Sequence, residues 1–117
     1  SFMFIFTNPI TERSFEKVND KIIGLDGYFK GNQYKFPLHV ITFVDQNFRS
    51  TPLCFCITQD SKEETMKTFL EKVKSKFNID NQYLFSIDND ESYQSGIHHI
   101  DCNFLLCKFH LLKCKFF

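Results

Sequence analysis

The sequence has little of several features that mark whole classes of protein, and each shortage narrows the field. Fourteen Lys and Arg balance fourteen Asp and Glu, so no net charge is available to hold a polyanion, which argues against a dedicated basic DNA-binding module. No apolar run approaches the ~20 residues that a membrane helix needs. The glycines, at positions 24, 27, 31 and 96, are too scattered for a phosphate-binding loop, and there is no Gly-x-Ser-x-Gly nucleophile motif.

Both ends of the chain lack the usual boundary signals. Residues 1–6 carry neither a basic region nor a small-residue cleavage site, so they do not form a secretory signal peptide. The chain starts without a methionine and ends at Lys115-Phe116-Phe117, within a predicted helix that has no stop signal. We therefore expect a piece of a longer protein.

Apolar and aromatic residues are plentiful. They make up 43% of the chain, with 16 phenylalanines, over a length of 117 residues. That length suits one domain, and the composition excludes a disordered chain, which cannot bury enough apolar surface. Five cysteines, an odd number without a framework spacing, favour reduced thiols and an intracellular protein.

The hydrophobic pattern predicts a mixed α/β domain. Three strands joined by short connections are most simply antiparallel, whereas strands reached through a helix normally run parallel to the strand they join. Pro37 cannot donate to a strand ladder, so we expect it to lie outside the paired region. The predicted strands are Phe2–Thr7, Ile22–Phe29, Tyr34–Val44, Thr51–Thr58, Tyr83–Ile87 and Asn103–Cys107, and the predicted helices are Thr11–Val18, a segment from Ser61 to Phe77, Glu91–His98 and a basic helix near His110.

The helix after residue 60 has the clearest pattern. Ser61 and Glu64 have the spacing of a capping box, in which each side chain satisfies a backbone amide of the first turn. Apolar residues then recur at helical spacing, which predicts one buried face. They are Met66, Phe69, Leu70, Val73 and Phe77.

Two aspartates stand out because each follows a run of apolar residues. Asp26 lies within the Ile22–Phe29 strand and Asp88 ends another. On parallel neighbouring strands they would meet at the carboxyl edge of the sheet, where ligand sites form. Facing carboxylates repel unless a cation or a proton lies between them, and their oxygens suit Mg²⁺ or Mn²⁺. The alternative is a capping role, for Asp26 before Gly27 and for Asp88 or Asp90 before the next helix.

A second group lies near the C-terminus. Cys107 and His110 are separated by two residues and could bind Zn²⁺, although a closed structural site needs four ligands. Cys102 and Cys114 are near enough in sequence to supply others. The alternative is that the thiols are buried as small apolar groups.

Other reactive residue types are better explained by structure. Cys54 and Cys56 alternate in a strand, so both face one side of the sheet as core residues. His98 and His99 are adjacent, which is poor chelating geometry on a helix, so a helix end is the better interpretation. His39 lies in a predicted strand, and the sequence shows no partner for it.

Several ordered segments together resemble the transposase domain of Mutator-like elements (MULE). The similarity covers residues 20–115, and ordered motifs at suitable separations are more specific than any single one. The matching segments are Ile22–Lys30 around Asp26, Tyr34–Leu38, Glu63-Glu64 with Phe69-Leu70, Ser86–Asp90 around Asp88, and Leu106–Leu112 with the Cys107-x-x-His110 signature.

The resemblance implies a fold and a chemistry. The fold would be a ribonuclease H-like mixed sheet truncated at the C-terminus, with residues 1–20 a flanking strand and short helix and residues 21–117 the partial transposase domain. The activity would be DNA strand cleavage and transfer by two Mg²⁺ or Mn²⁺ ions on three acids. Asp26 and Asp88 match the first two acids. The third, a glutamate past the Cys-x-x-His signature, lies beyond Phe117.

The family also implies partners and a location. The implied partners are DNA, as element ends and target, and further copies of the chain in a homo-oligomer. No membrane association is expected, and the implied location is the nucleus. Zinc binding or DNA contact at Cys107 and His110 is part of this interpretation. Two alternatives stay open: an inactive transposase-derived module that associates with DNA or protein, and a ribonuclease H-like domain in which both aspartates are caps.

Overall fold

A computed structural model of the chain describes residues 2–28 and 36–106. Within these residues, six strands and three helices follow one another in the order expected from the sequence. They are β1 (Met3–Thr7), α1 (Pro9–Glu16), β2 (Ile22–Tyr28), β3 (Leu38–Val44), β4 (Ser50–Thr58), α2 (Glu63–Phe77), β5 (Leu84–Ile87), α3 (Glu91–His99) and β6 (Asn103–Leu106).

The strands form one mixed sheet in the spatial order β1-β4-β3-β2-β5-β6. Strand β3 pairs antiparallel with both β2 and β4, and β1 extends the sheet by pairing antiparallel with β4. Strands β5 and β6, reached through α2 and α3, run parallel to β2. The predicted antiparallel meander followed by parallel strands is confirmed.

The three helices pack on the same face of the sheet. Residues 39 and 43 of β3 lie on one face of the sheet, because strand side chains alternate with a period of two. His39 contacts Phe69 of α2 and Tyr93 of α3, with ring centroids 5.7 and 5.6 Å apart. Phe43 contacts Phe15 of α1, with centroids 5.3 Å apart. The main core therefore lies between this face and the helices.

Helix α2 buries the apolar stripe predicted for it. Its residues Met66, Phe69, Leu70 and Val73 are all removed from solvent, while the opposite side carries an exposed Glu63–Lys67 ion pair of 3.3 Å. Helix α1 contributes Phe15, whose ring contacts that of Tyr83 in addition to Phe43. Burying side chains of this size contributes about 1.5–3 kcal/mol each, which exceeds what helix propensity alone supplies.

The predicted capping box at Ser61 and Glu64 is wrong. Helix α2 begins at Glu63, and the capping position falls on Lys62, whose side chain makes no capping hydrogen bond. The carboxylate of Asp60 supplies the hydrogen-bond acceptor at the start of α2 instead. Its Oδ1 accepts from the Lys62 N–H at 3.0 Å and from the Thr65 hydroxyl at 2.5 Å. These hydrogen bonds lower the pKa of Asp60, as expected when hydrogen bonds favour the charged form.

Two boundaries follow from proline. Pro37 lies just outside β3, as expected, and its carbonyl accepts from the Thr58 N–H at 3.1 Å. Helix α1 begins at Pro9, two residues before the predicted start, because the Asn8 side chain accepts from the Ile10 N–H. Asparagine before proline is a strong helix start.

Among the described helices, none is long and apolar enough to span a lipid bilayer.

Candidate metal centre at two parallel strands

Asp26 and Asp88 each follow directly after the last pair of residues that joins β2 to β5. The two strands are parallel neighbours, and Leu25 is paired with Ile87. Asp26 is the residue after Leu25, and Asp88 is the residue after Ile87. Adjacent strands are about 4.8 Å apart, so the backbone segments that lead into the two acids run side by side. The predicted parallel pairing of the acidic strands is confirmed.

The two acids emerge from a dry part of the molecule. Leu25 and Ile87 are fully buried. Asp26 and Asp88 are themselves partly buried, and the Oδ1 oxygen of Asp88 is removed from solvent. Low local polarity strengthens every electrostatic interaction, including the repulsion between neighbouring carboxylates. A divalent cation would relieve that repulsion.

The phenol of Tyr93 lies near enough to these acids for their charge to affect its pKa. Burial raises the pKa of this hydroxyl most, and the nearby charges of Asp90, Asp88 and Asp26 raise it further. All three carboxylates therefore lie within electrostatic reach of one side chain. Tyr93 is in the first turn of α3, directly after the Asp90 cap.

The capping interpretation belongs to Asp90. Its side chain accepts from the Ser92 N–H at 2.9 Å and from the Tyr93 N–H at 3.1 Å, which makes it the N-cap of α3. Asp88 is two residues upstream of that position. Asp26 does not precede a turn either, because β2 continues through Gly27 to Tyr28. The cap therefore accounts for Asp90 and leaves Asp26 and Asp88 as the two acids that follow the paired part of β2 and β5.

His39 has partners that the sequence does not reveal. Its imidazole is fully buried, with Nδ1 2.5 Å from the Tyr93 hydroxyl and Nε2 3.2 Å from the Thr58 hydroxyl. Burial lowers the pKa of His39 to about 4, against a smaller opposing effect of Asp90. The ring is therefore neutral at pH 7. Tyr93 is 54 positions away in sequence, so only the folded chain brings the two together.

The described residues supply only part of a metal site. Within residues 2–28 and 36–106, no group of three or more His, Cys, Asp or Glu side chains could hold a metal ion. Two carboxylates are hard oxygen donors of the kind that Mg²⁺ and Mn²⁺ take. The donor chemistry of Asp26 and Asp88 thus fits such an ion, and further ligands would come from elsewhere.

The cysteines in the described part of the chain are core residues. Cys54 and Cys56 are buried on the helix-covered face, and burial raises the pKa of each thiol to about 12. Cys102 is buried too, and its thiol donates to the Asp80 carbonyl over 3.3 Å. The core interpretation of Cys54 and Cys56 is confirmed. Cys107 and His110 of the Cys-x-x-His signature, with Cys114, lie outside the described residues.

The adjacent histidines end α3, as expected. His99 hydrogen-bonds to Glu71 of α2, and the His98 ring lies 5.4 Å from that of Phe104. A cleft between the ends of α2 and α3 is lined by Glu71, Lys74, His99 and Asp101. It lies at the opposite end of α3 from Asp90, so it is not part of the acidic pair.

Comparison with known proteins gives a family-level match. The family model described as the MULE transposase domain matches residues 22–114. This range contains Asp26 and Asp88 as well as Cys107 and His110. No curated protein matches the chain significantly.

Proposed function

Because the chain belongs to the MULE transposase domain family, we propose that it forms the N-terminal part of the catalytic core of a Mutator-like DNA transposase. Its activity would be metal-dependent cleavage and transfer of DNA strands. The observation that carries this proposal is the position of Asp26 and Asp88, each directly after the paired residues Leu25 and Ile87 of two parallel strands. Ligand sites of open α/β sheets form at such carboxyl ends.

The sheet topology supports a ribonuclease H-like fold. Strands β4, β3 and β2 are antiparallel, and β5 and β6 lie on the other side of β2, parallel to it. This arrangement agrees with the ribonuclease H-like fold that the resemblance to MULE transposases implies. In the proposed fold, β2 and β5 are the strands that carry the first two acids.

Asp26 and Asp88 would hold Mg²⁺ or Mn²⁺, together with a third carboxylate outside the described residues. When bound, such ions activate an attacking water or 3′-hydroxyl and stabilise the leaving oxygen. The chain's own residues hold the two segments: Leu25 and Ile87 are paired and fully buried next to the acids in sequence, and Asp90 fixes the start of α3 by capping it.

DNA is the partner that a transposase domain implies. We extend the proposal to element ends and target DNA as substrates, to a homo-oligomer that pairs two DNA ends, and to a nuclear location. The balance of fourteen basic and fourteen acidic residues gives the chain no net attraction for phosphates. We therefore expect additional basic segments to contribute to DNA affinity in the full protein.

The test is metal-dependent nicking of a labelled DNA duplex by the chain. We expect slow nicking with Mn²⁺ or Mg²⁺, none with chelator, and at least tenfold less in Asp26→Asn and in Asp88→Asn. Asp101→Asn is the matched control, since Asp101 is exposed and has a positive φ of 59°, a conformation that asparagine tolerates. Nicking that is equal in Asp26→Asn and wild type would overturn the proposal.

A second candidate is a transposase-derived module that no longer cuts. It is favoured by the incomplete ligand set, because no group of three metal-binding side chains occurs in the described part of the chain. This module would bind DNA or protein without metal-dependent cleavage. DNA binding by the wild type that is unchanged by chelator, with no nicks in any metal, would support it over the enzyme.

A further inference from the structure

A buried chain of hydrogen bonds runs through His39 and has a defined direction. The Thr58 hydroxyl lies 2.7 Å from the carbonyl of Asp60, and a carbonyl can only accept, so Thr58 donates there. Thr58 must then accept from the Nε2–H of His39. A neutral imidazole carries one N–H, so its Nδ1 is an acceptor and takes the Tyr93 hydroxyl proton at 2.5 Å.

The Tyr93 end of this chain fixes the helix that follows Asp88. Tyr93 is in the first turn of α3, and its backbone N–H is held by Asp90. Its side chain reaches across to β3, where His39 is paired with Gly27. Gly27 is the residue after Asp26. The hydrogen bond therefore joins the segment that carries Asp88 to the strand pair that carries Asp26.

The protonation states at this contact agree with the direction set by the hydrogen bonds. Asp90, Asp88 and Asp26 all lie within electrostatic reach of the Tyr93 hydroxyl and, together with burial, raise its pKa. The phenol therefore keeps its proton at pH 7 and remains a donor. Neutral His39 is an uncharged acceptor, so the contact adds no charge to a site that already concentrates negative charge.

We propose that Tyr93 and His39 are positioning residues that set the separation of the Asp26 and Asp88 carboxylates for a shared divalent cation. The proposal rests on the function proposed above, because it requires that these two acids bind metal. Groups that hold metal ligands in place typically change metal affinity by about 10–100-fold when they are lost. Tyr93 and His39 act through the backbone of α3 and β3 and do not touch the ion.

The test is a titration of Mn²⁺ followed by electron paramagnetic resonance, which measures the concentration of the free ion. The titration is done at a temperature where circular dichroism shows that each variant is folded. We expect Tyr93→Phe and His39→Leu to weaken Mn²⁺ binding about tenfold or more. The double variant should be no weaker than either single one, since both remove the same contact.

Two further variants separate positioning from general stability. His39→Asn places an amide oxygen where Nδ1 was, so it retains an acceptor for Tyr93 and should bind Mn²⁺ within about threefold of wild type. Thr58→Val removes the other end of the chain and lowers the melting temperature, but it should leave Mn²⁺ affinity within the same range. In this variant the His39 imidazole can still hydrogen-bond to Tyr93 in either tautomer.

The outcomes distinguish this proposal from the one on which it rests. If the wild type binds no Mn²⁺, the proposed function fails, and the positioning role fails with it. If the wild type binds and Tyr93→Phe binds equally well, the positioning role alone is overturned. Equal losses in Tyr93→Phe and Thr58→Val would also overturn it, because they would show that affinity follows stability.

Discussion

At the residue scale, two aspartates that lie two positions apart before α3, Asp88 and Asp90, occupy different structural positions. Asp90 accepts two backbone hydrogen bonds and satisfies amides that the helix cannot pair itself. Asp88 follows β5 directly, and Asp26 follows Leu25, the residue paired with the last residue of β5. The repeated acids of the sequence Asp88-Asn89-Asp90 therefore serve a helix start and a strand end.

Removing the cap gives the first prediction. Asp90→Ala should lower the free energy of unfolding by about 1 kcal/mol, because the Ser92 and Tyr93 amides lose their acceptor. Urea denaturation followed by circular dichroism measures this loss. Asp90→Ser, which retains a capping oxygen, should recover most of it. An Asp90→Ala protein as stable as wild type would contradict the assignment of the cap.

The buried imidazole of His39 gives a prediction about pH. Its pKa in the folded protein is about 4, against 6.5 ordinarily. The unfolded chain therefore binds the proton more readily, and the stabilisation present above about pH 6.5 is lost as the pH falls towards 4. The full difference corresponds to about 3 kcal/mol.

The measurement is unfolding by urea between pH 4 and pH 8, comparing wild type with His39→Asn. Subtraction removes the carboxyl groups that titrate in both proteins, such as Asp60. The wild type should lose more stability than the variant on acidification. Parallel curves for the two proteins would contradict a neutral, buried His39.

Residue-scale roles were predictable from the sequence only where the partners are local. Asp26 and Asp88 could be singled out because each follows an apolar run, and the parallel pairing of the strands that precede them is as predicted. The His39–Tyr93 contact could not, because it depends on the packing of α3 against β3. The cap of α2 was misassigned to Ser61, since Asp60 and Ser61 are both good capping residues and only the backbone path decides between them.

At the element scale, the contact between α2 and α3 depends on a glycine. A Cβ at Gly96 would lie 2.7 Å from Cδ1 of Leu70 and 3.3 Å from the carbonyl oxygen of Met66. Both neighbours belong to α2, and Leu70 is fully buried. The glycine therefore allows the two helices to approach closely, and α3 in turn carries Tyr93 and follows Asp88.

Gly96→Ala tests this approach. Overpacking costs about 1–3 kcal/mol, which exceeds the gain of up to about 1 kcal/mol from the better helix propensity of alanine. We expect a net loss of about 1 kcal/mol in thermal or urea unfolding. In a Leu70→Ala background the same change should be neutral or stabilising, because the methyl group then enters a cavity. A penalty that is unchanged by Leu70→Ala would refute the close contact.

Elements as such were largely predictable. The apolar periodicity of α2 and the alternation in the strands come directly from the side chains that the core buries. The errors lie at boundaries: α1 begins earlier than its first apolar repeat because Asn8 and Pro9 define its start. Helix α2 ends at Phe77 because Asn78 adopts a left-handed conformation with φ of 55°.

At the scale of the whole molecule, the sheet joins segments far apart in sequence. Strand β2 lies between β3 and β5, so the acidic pair forms only when the connection through α2 is complete. The parallel pairing was predictable because a helical crossover favours it. The pairing of β1 with β4 was not, because edge pairing leaves little trace in the pattern of a short strand.

Thiol labelling tests the integrity of this assembly. Cys54, Cys56 and Cys102 are buried, and burial raises the pKa of each, so the thiolate needed for reaction is scarce. In the native protein these three should react at least a hundredfold more slowly than in urea, as measured by site-resolved mass spectrometry. Modification of Cys54 and Cys56 at the denatured rate under native conditions would contradict the packed core.

The account depends above all on Asp26 and Asp88 binding one divalent cation together. The most direct measurement is calorimetric titration of Mg²⁺ and Mn²⁺ into the wild type, Asp26→Asn, Asp88→Asn and the double variant, with Asp101→Asn as the charge-matched control. We predict that wild type and the control bind with equal affinity, and that each single variant loses at least tenfold in affinity. We also predict that the double variant is little worse than either. Equal binding by all five proteins, or no binding by the wild type, would contradict the account.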